Sequence, residues 1–171
     1  MMDGALRLAL TPVVKERDLL LLLGGNLGDP EHLFQRAELM LTSALGVAGM
    51  QRSRDHWTEP WGFAHSSLFL NRALWCRTTH PATAVLDVAL SVERQLGRER
   101  VAGGGYAPRT IDIDILLLGD EVHDLPHLQV PHPRMHLRSF ALAPAADLAP
   151  SHLHPLRGRT VLQLLCDLRG A

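Results

Sequence analysis

An α+β fold with the element order β-α-β-β-α-β and a C-terminal extension is predicted by three observations along the 171-residue chain. Two amphipathic helical patterns are each closed by a glycine, short apolar runs of strand character flank them, and the strongest turn signals fall between those runs.

The elements follow in order. Asp18 to Gly24 is a short apolar run ending in glycine, the pattern of a buried strand entering a tight turn. Asp29 is placed to cap a helix with Pro30 at its first position, and Leu33, Ala37, Met40, Leu41 and Ala44 recur on one face until Gly46. Val47 to Thr58 and Leu68 to Thr79 read as neighbouring strands, separated by the turn-forming Glu59-Pro60-Trp61-Gly62 and a short loop. Pro81 opens a second helix, with Val85, Ala89, Val92 and Leu96 on its apolar face and Gly97 at its end. An Arg-rich loop with three glycines runs from Arg98 to Tyr106, and a strand follows from Thr110 to Leu118, turned by Gly119-Asp120. The Pro-rich remainder holds short helices around Ser139 to Ala146 and Thr160 to Leu168, the last opened by a Thr160/Gln163 capping box. This order is that of the ferredoxin-like, split βαβ plan, which hosts many functions and names none.

Residues 18–171 are expected to form one domain, with residues 1–17 a tail or extra edge element. Apolar residues are 46% of the chain and charged residues 20%, which excludes wholesale disorder. The balance of 17 Lys+Arg against 18 Asp+Glu argues against a nucleic-acid partner, whose binding surface would carry a basic excess. The apolar run Leu19 to Leu23 is far too short to span a bilayer, so no membrane partner is expected. Two cysteines, Cys76 and Cys166, make no disulfide framework; a cytoplasmic monomer is the expectation.

Thr110-Ile111-Asp112-Ile113-Asp114-Ile115 carries the chemistry. Alternation on a strand buries the isoleucines on one face and sets Asp112 and Asp114 side by side on the other, about 7 Å apart at the backbone. Such a pair can hold hard cations, and Mg²⁺ takes a few carboxylate oxygens together with substrate phosphates. A D-x-D alone is more often a solvated face. Here Arg98, Arg100 and Arg109 gather just before it, with Gly103, Gly104 and Gly105 between them, a combination suited to a polyphosphate. Gly24-Gly25-Asn26-Leu27-Gly28 lacks the Gly-Lys-Ser/Thr of a P-loop and reads as a strand-to-helix turn. His132 and His136 have helical zinc spacing, but Pro133 intervenes and no zinc is assigned. Most of the aromatic residues, a set that includes Trp57 and Trp75, are expected in the core by default, although Phe69 shares a strand face with Asn71 and could stack on a planar ligand that Asn71 reads.

Ala107-Pro108-Arg109-Thr110-Ile111-Asp112-Ile113-Asp114-Ile115-Leu116 resembles the signature of the 6-hydroxymethyl-7,8-dihydropterin pyrophosphokinases of folate biosynthesis. Supporting motifs occur in order: Gly24-Gly25-Asn26-Leu27, Phe69-Leu70-Asn71, Glu93 with Gly97-Arg98-Glu99-Arg100, and Val130-Pro131-His132-Pro133-Arg134-Met135-His136 with Arg138 and Phe140. The resemblance implies transfer of pyrophosphate from ATP to the pterin hydroxymethyl group, releasing AMP. Asp112 and Asp114 would hold two Mg²⁺ ions. Arg98, Arg109 and Arg100 would neutralise phosphates, with His132, Arg138 and Glu93 on the ATP side. Phe69 and Phe140 would sandwich the pterin, Asn71 would hydrogen-bond it, Thr58, Trp61 and Gly62 would lie along its edge, and Tyr106 could close over a ring. Arg98, Arg109, Asp112 and Asp114 form the implied catalytic set.

The chain departs from that pattern at Gly105-Tyr106-Ala107, at Glu59 and at Gly25, where Ser is common. The alternative of an RNA-binding module on the same fold would need aromatics on adjacent central strands and a basic excess.

Overall fold

The computed structural model describes residues 15–60, 67–99 and 108–170. At its centre is β1 (Arg17–Gly25), flanked by β4 (Phe69–Thr78) on one side and β5 (Asp112–Leu118) on the other, both antiparallel to it. The outer edge of β4 carries two short strands in succession, β2 (Gln51–Arg52) and β3 (His56–Thr58), also antiparallel. The sheet therefore runs β2/β3, β4, β1, β5.

Why β1 reads as an unbroken leucine run is plain from its place. Leu19, Leu21 and Leu23 enter the core on one face, Leu20 and Leu22 the core on the other. A strand covered on both sides loses the polar half of its alternation.

The first face is covered by α1 (Pro30–Ala44) and α2 (Ala82–Gln95). Asp29 caps α1 by accepting a hydrogen bond from the His32 N–H (3.1 Å), and Phe34, Ala37 and Leu41 are its buried residues. Gly46 and Gly97 end the two helices in the left-handed region, at φ +58° and +81°. Ile111, Ile113 and Ile115 pack into this core as alternation requires.

The second face is covered by a single 3₁₀ turn (Met135–Leu137), α3 (Ser139–Leu148) and α4 (Val161–Gly170). The capping box at the start of α4 forms in both directions, Thr160 N–H to Gln163 Oε1 (2.9 Å) and Gln163 N–H to Thr160 Oγ1 (3.2 Å).

The structure departs from the sequence reading at three points. The strand expected from Val47 to Thr58 is broken, because between the pairs Arg52↔Leu74 and His56↔Asn71 the edge chain spends one residue more than β4, a bulge. Two hairpins went unread, β6 (His123–Leu125) with β7 (Leu128–Val130) and β8 (Leu153–His154) with β9 (Arg159–Thr160); strands of two or three residues carry no usable period. Trp57, assigned to the core by default, is 46% exposed, since a three-residue edge strand holds it at the sheet margin.

Candidate active site

Strand register builds the site. Asp112 of β5, Gly24 of β1, Asn71 of β4 and His56 of β3 are successive partners across four strands, so they form one row on the α3 side of the sheet. Asp114, Leu22 and Ala73 form the next row. Gly24 has no side chain to put into the first row, which leaves a slot between the Asp112 carboxylate and the Asn71 amide. The slot opens into a cleft with about 520 Å³ of empty space, counting its mouth. Thr58, Glu59 and Phe69 line one wall, Arg138 and Phe140 from the start of α3 the other, and Leu22 and Gly24 the floor.

The polar groups are held in place. Asn71 is 3% exposed, and its Nδ2 donates to Thr58 Oγ1 at 2.9 Å. Arg138, 6% exposed, lies with its guanidinium 5.5 Å from the centre of the Phe140 ring. Arg109 is anchored by the turn after β1: Asn26 and Leu27 N–H groups both donate to its carbonyl oxygen (2.9 and 3.1 Å), and Asn26 Oδ1 accepts from its N–H (3.0 Å). A Cβ on Gly25 would stand 2.5 Å from the Thr110 carbonyl oxygen, so the glycine is what lets these two segments close up. The turn thus serves β5 and the arginine before it.

Asp112 meets both arginines. Arg109 forms an ion pair and hydrogen bond with one carboxylate oxygen, and Arg98 NH2 stands 3.3 Å from the other. Arg98 NH1 also donates to the Ile111 carbonyl (3.2 Å), while its buried Nε has no hydrogen-bond partner among the described residues.

Asp114 is partly buried, its side chain 35% exposed where it borders two clefts, the one above and a second lined by Leu86, Gln129 and His132. Burial first, and then the Asp112 carboxylate beside it, push its carboxyl up to about 7, against the opposing pull of Arg138 and Arg109. His132 Nε2 is 3.9 Å from Asp114 Oδ2. Burial, with Arg138 and Arg134 nearby, pushes the imidazole down to about 4, so it is neutral at pH 7. Its Nδ1 accepts from the Arg134 N–H (3.2 Å), which leaves the proton on Nε2, facing the carboxylate.

Glu93 stands apart from the other implied ATP contacts. It is 2% exposed, on the far side of β5, and its Oε1 accepts the Ile113 N–H (2.8 Å), gripping the backbone between the two aspartates. Arg100, Trp61, Gly62, Gly103 to Gly105 and Tyr106 lie outside the described residues. Sequence reasoning missed Gly24 as the slot floor, though a glycine within a strand is a signal for close approach.

The donor set fits a hard divalent cation. Among the described residues no three His, Cys, Asp or Glu side chains cluster as metal ligands, so an ion would rest on Asp112 and Asp114 with water and substrate oxygens, the coordination Mg²⁺ favours. Asp112 in a ring-walled cleft, with Asp114 shared between that cleft and a second polar one, suits a transferase that brings two substrates together on an α+β domain.

Comparison with known proteins agrees. The family model for 7,8-dihydro-6-hydroxymethylpterin-pyrophosphokinase (HPPK) matches residues 20–150, and the chain belongs to that family. It is 41% identical over 136 residues to the 2-amino-4-hydroxy-6-hydroxymethyldihydropteridine pyrophosphokinase of Porphyromonas gingivalis, covering 78% of this chain and 90% of that one. It is 37% identical over 155 residues to the Pseudomonas aeruginosa enzyme of the same name, covering 86% and 91%. Among solved structures, wild-type Plasmodium falciparum HPPK-DHPS with pteroate aligns at a TM-score of 0.68 and 15% identity, over 90% of this chain and 42% of that chain. This chain thus spans less than half of that longer protein, and the likeness concerns the fold. The RNA-binding alternative finds no support: α3 and α4 cover the sheet face that such a module would expose.

Proposed function

We propose that this protein transfers pyrophosphate from ATP to the hydroxymethyl group of 6-hydroxymethyl-7,8-dihydropterin, in folate biosynthesis, with the pterin in the ring-walled cleft and the triphosphate on the His132 side. The observation that carries the assignment of sites is Asp114, which borders both clefts. The observed strand order supports the ferredoxin-like plan, with β2 and β3 together as its second strand. Residues 18–171 are read as one domain, cytoplasmic and monomeric.

In this reading Phe69 and Phe140 stack on the pterin, and Asn71 and Thr58 read its edge. The substrate hydroxyl oxygen attacks the β-phosphorus, a new O–P bond forms as the hydroxyl proton passes to solvent, the bond from the β-phosphorus to the α,β-bridging oxygen breaks, and AMP departs. Asp112 and Asp114 would hold Mg²⁺, two ions in the fullest form of the proposal, and the metal when bound supplies charge neutralisation at the phosphates. Arg98 and Arg109 exchange the Asp112 carboxylate for phosphate oxygens, and neutral His132 offers Nε2–H to the nucleotide. Glu93 holds the β5 backbone straight so that the two carboxylates converge.

The test is incubation with ATP, Mg²⁺ and 6-hydroxymethyl-7,8-dihydropterin, with AMP and pterin diphosphate separated chromatographically. Equal amounts of the two products are expected, with Phe140→Ala weakening pterin binding by about 1–3 kcal/mol, the scale of one aromatic stack. Formation of ADP, or of AMP without pterin diphosphate, would refute the reaction.

A further inference from the structure

The helix that carries Phe140 is tied to the opposite wall of its cleft at one further point. Asp147 lies seven residues after Phe140, two turns along α3, so the two side chains share one stripe of the helix about 10 Å apart. On β3, His56 and Thr58 are two residues apart and share one strand face. The two stripes face each other. Asp147 Oδ2 is 2.8 Å from His56 Nε2, and the Phe140 end of the helix looks toward Thr58 and Phe69 across the cleft.

Asp147 is an exposed residue and His56 a partly buried one, but their side chains, turned toward each other, are only 17% and 21% exposed. Asp147 also accepts from Arg54, through NH2 at 2.8 Å and through Nε and the backbone N–H at 3.3 Å, but the Arg54 side chain is 81% exposed and such a pair contributes little. The Arg54 hydrogen bond first, opposed by burial, and then the His56 hydrogen bond hold the Asp147 carboxyl down to about 2, so it is ionised throughout the working range.

β3 needs such a tie. It has three residues, pairs on one side only, and follows a bulge, so its own ladder holds it weakly. The bulge sets its register, placing His56 and Thr58, not Trp57, on the cleft side. Asp55 secures the bulge from the other face through a two-point pair with buried Arg72, at 2.6 and 2.9 Å. The His56 carbonyl in turn accepts from Asn71 Nδ2 at 3.3 Å, alongside the Thr58 contact.

We propose that Asp147, acting through His56, is a positioning residue for the planar substrate: it fixes the gap between the Phe140 helix and the Thr58–Phe69 wall, and so the width of the slot a pterin ring must enter. The proposal rests on the reading of this cleft as the pterin site.

Full-length wild type, Asp147→Ala, Asp147→Asn, His56→Ala, the Asp147→Ala/His56→Ala double variant and Phe140→Ala are compared. Affinity is measured by fluorescence for 6-hydroxymethylpterin and by calorimetry for Mg²⁺ with α,β-methylene-ATP, and stability by urea midpoint. Asp147→Ala is expected to lose about tenfold or more in pterin affinity while nucleotide affinity stays within about twofold. Asp147→Asn, which keeps a carbonyl acceptor for His56, is expected to lose less. The double variant is expected to lose no more than Asp147→Ala alone, because that substitution already removes the His56 contact along with those of Arg54. Unchanged pterin affinity in Asp147→Ala overturns the proposal, and so does an equal fall in both affinities that tracks the urea midpoint. If Asp147→Ala does not fold, Asp147→Asn decides by the same two criteria. Wild type that binds nucleotide but no pterin defeats the cleft assignment and this proposal with it; Phe140→Ala weakening pterin while Asp147→Ala does not defeats this proposal alone.

Discussion

Arg109 holds the Asp112 carboxylate while its guanidinium carbon lies 5.7 Å from the centre of the Phe69 ring. One cation therefore covers both a proposed metal ligand and a proposed stacking surface. Substrate binding must move it, and the phosphates of ATP offer it a richer set of oxygens than a single carboxylate.

Arg109→Ala should accordingly lower turnover by about a hundredfold or more while changing pterin affinity little, because the arginine vacates the ring when substrate arrives and acts on charge that develops later. Single-turnover transfer and equilibrium titration with 6-hydroxymethylpterin measure the two quantities. A parallel loss of both would make Arg109 an ordinary binding residue.

The Asp114 carboxyl is pushed up to about 7 by burial and by Asp112, above its ordinary value of 3.8. Between those two values the folded state binds more protons than the unfolded state, so this group subtracts stability as pH rises from about 4 to 7 and the loss persists above 7. His132 and His154, both held down to about 4, act with the opposite sign: the folded state sheds their protons first, so their contribution is lost as pH falls from 6.5 to 4. Asp114→Asn removes only the first effect. The variant should be more stable than wild type above pH 7 without Mg²⁺, the difference vanishing near pH 4, as read from urea midpoints across that range. A variant less stable than wild type at pH 8 would contradict the burial argument.

Much of this was legible in the sequence because the decisive features are local. Alternation alone sorted Ile111, Ile113 and Ile115 from Asp112 and Asp114, and Asp29 with Pro30, or Thr160 with Gln163, announced their helices through capping chemistry within one turn. What stayed hidden depends on register between distant segments. The bulge that brings His56 and Thr58 to the cleft face is one extra residue opposite β4, and Asp147 meets His56 across 91 positions of chain. Gly25 is a further case. The resemblance offered Ser there as common, but only the approach of Thr110 shows why this chain has no room for a Cβ.

The slot itself gives the last prediction. Gly24 lies between Asp112 and Asn71 in one row of the sheet, in ordinary extended backbone, and a Cβ there would meet Asn71 Oδ1 at 3.7 Å, a normal contact. Gly24→Ala should therefore fold, and fixing the unfolded chain's freedom at this position should raise stability by about 0.4–1 kcal/mol. Gly24→Val is also acceptable to a strand, but its two methyl groups project into the space between the carboxylate and the amide. Pterin affinity should fall by about a hundredfold in the valine variant and by only a few fold in the alanine variant, with nucleotide affinity nearly unchanged in both because the His132 cleft does not include this residue. Pterin titration and calorimetry with α,β-methylene-ATP on the two variants check the gradation. If valine lowered nucleotide and pterin affinity alike, the two clefts would not be separate, and the division of the site between ring and triphosphate would have to be redrawn.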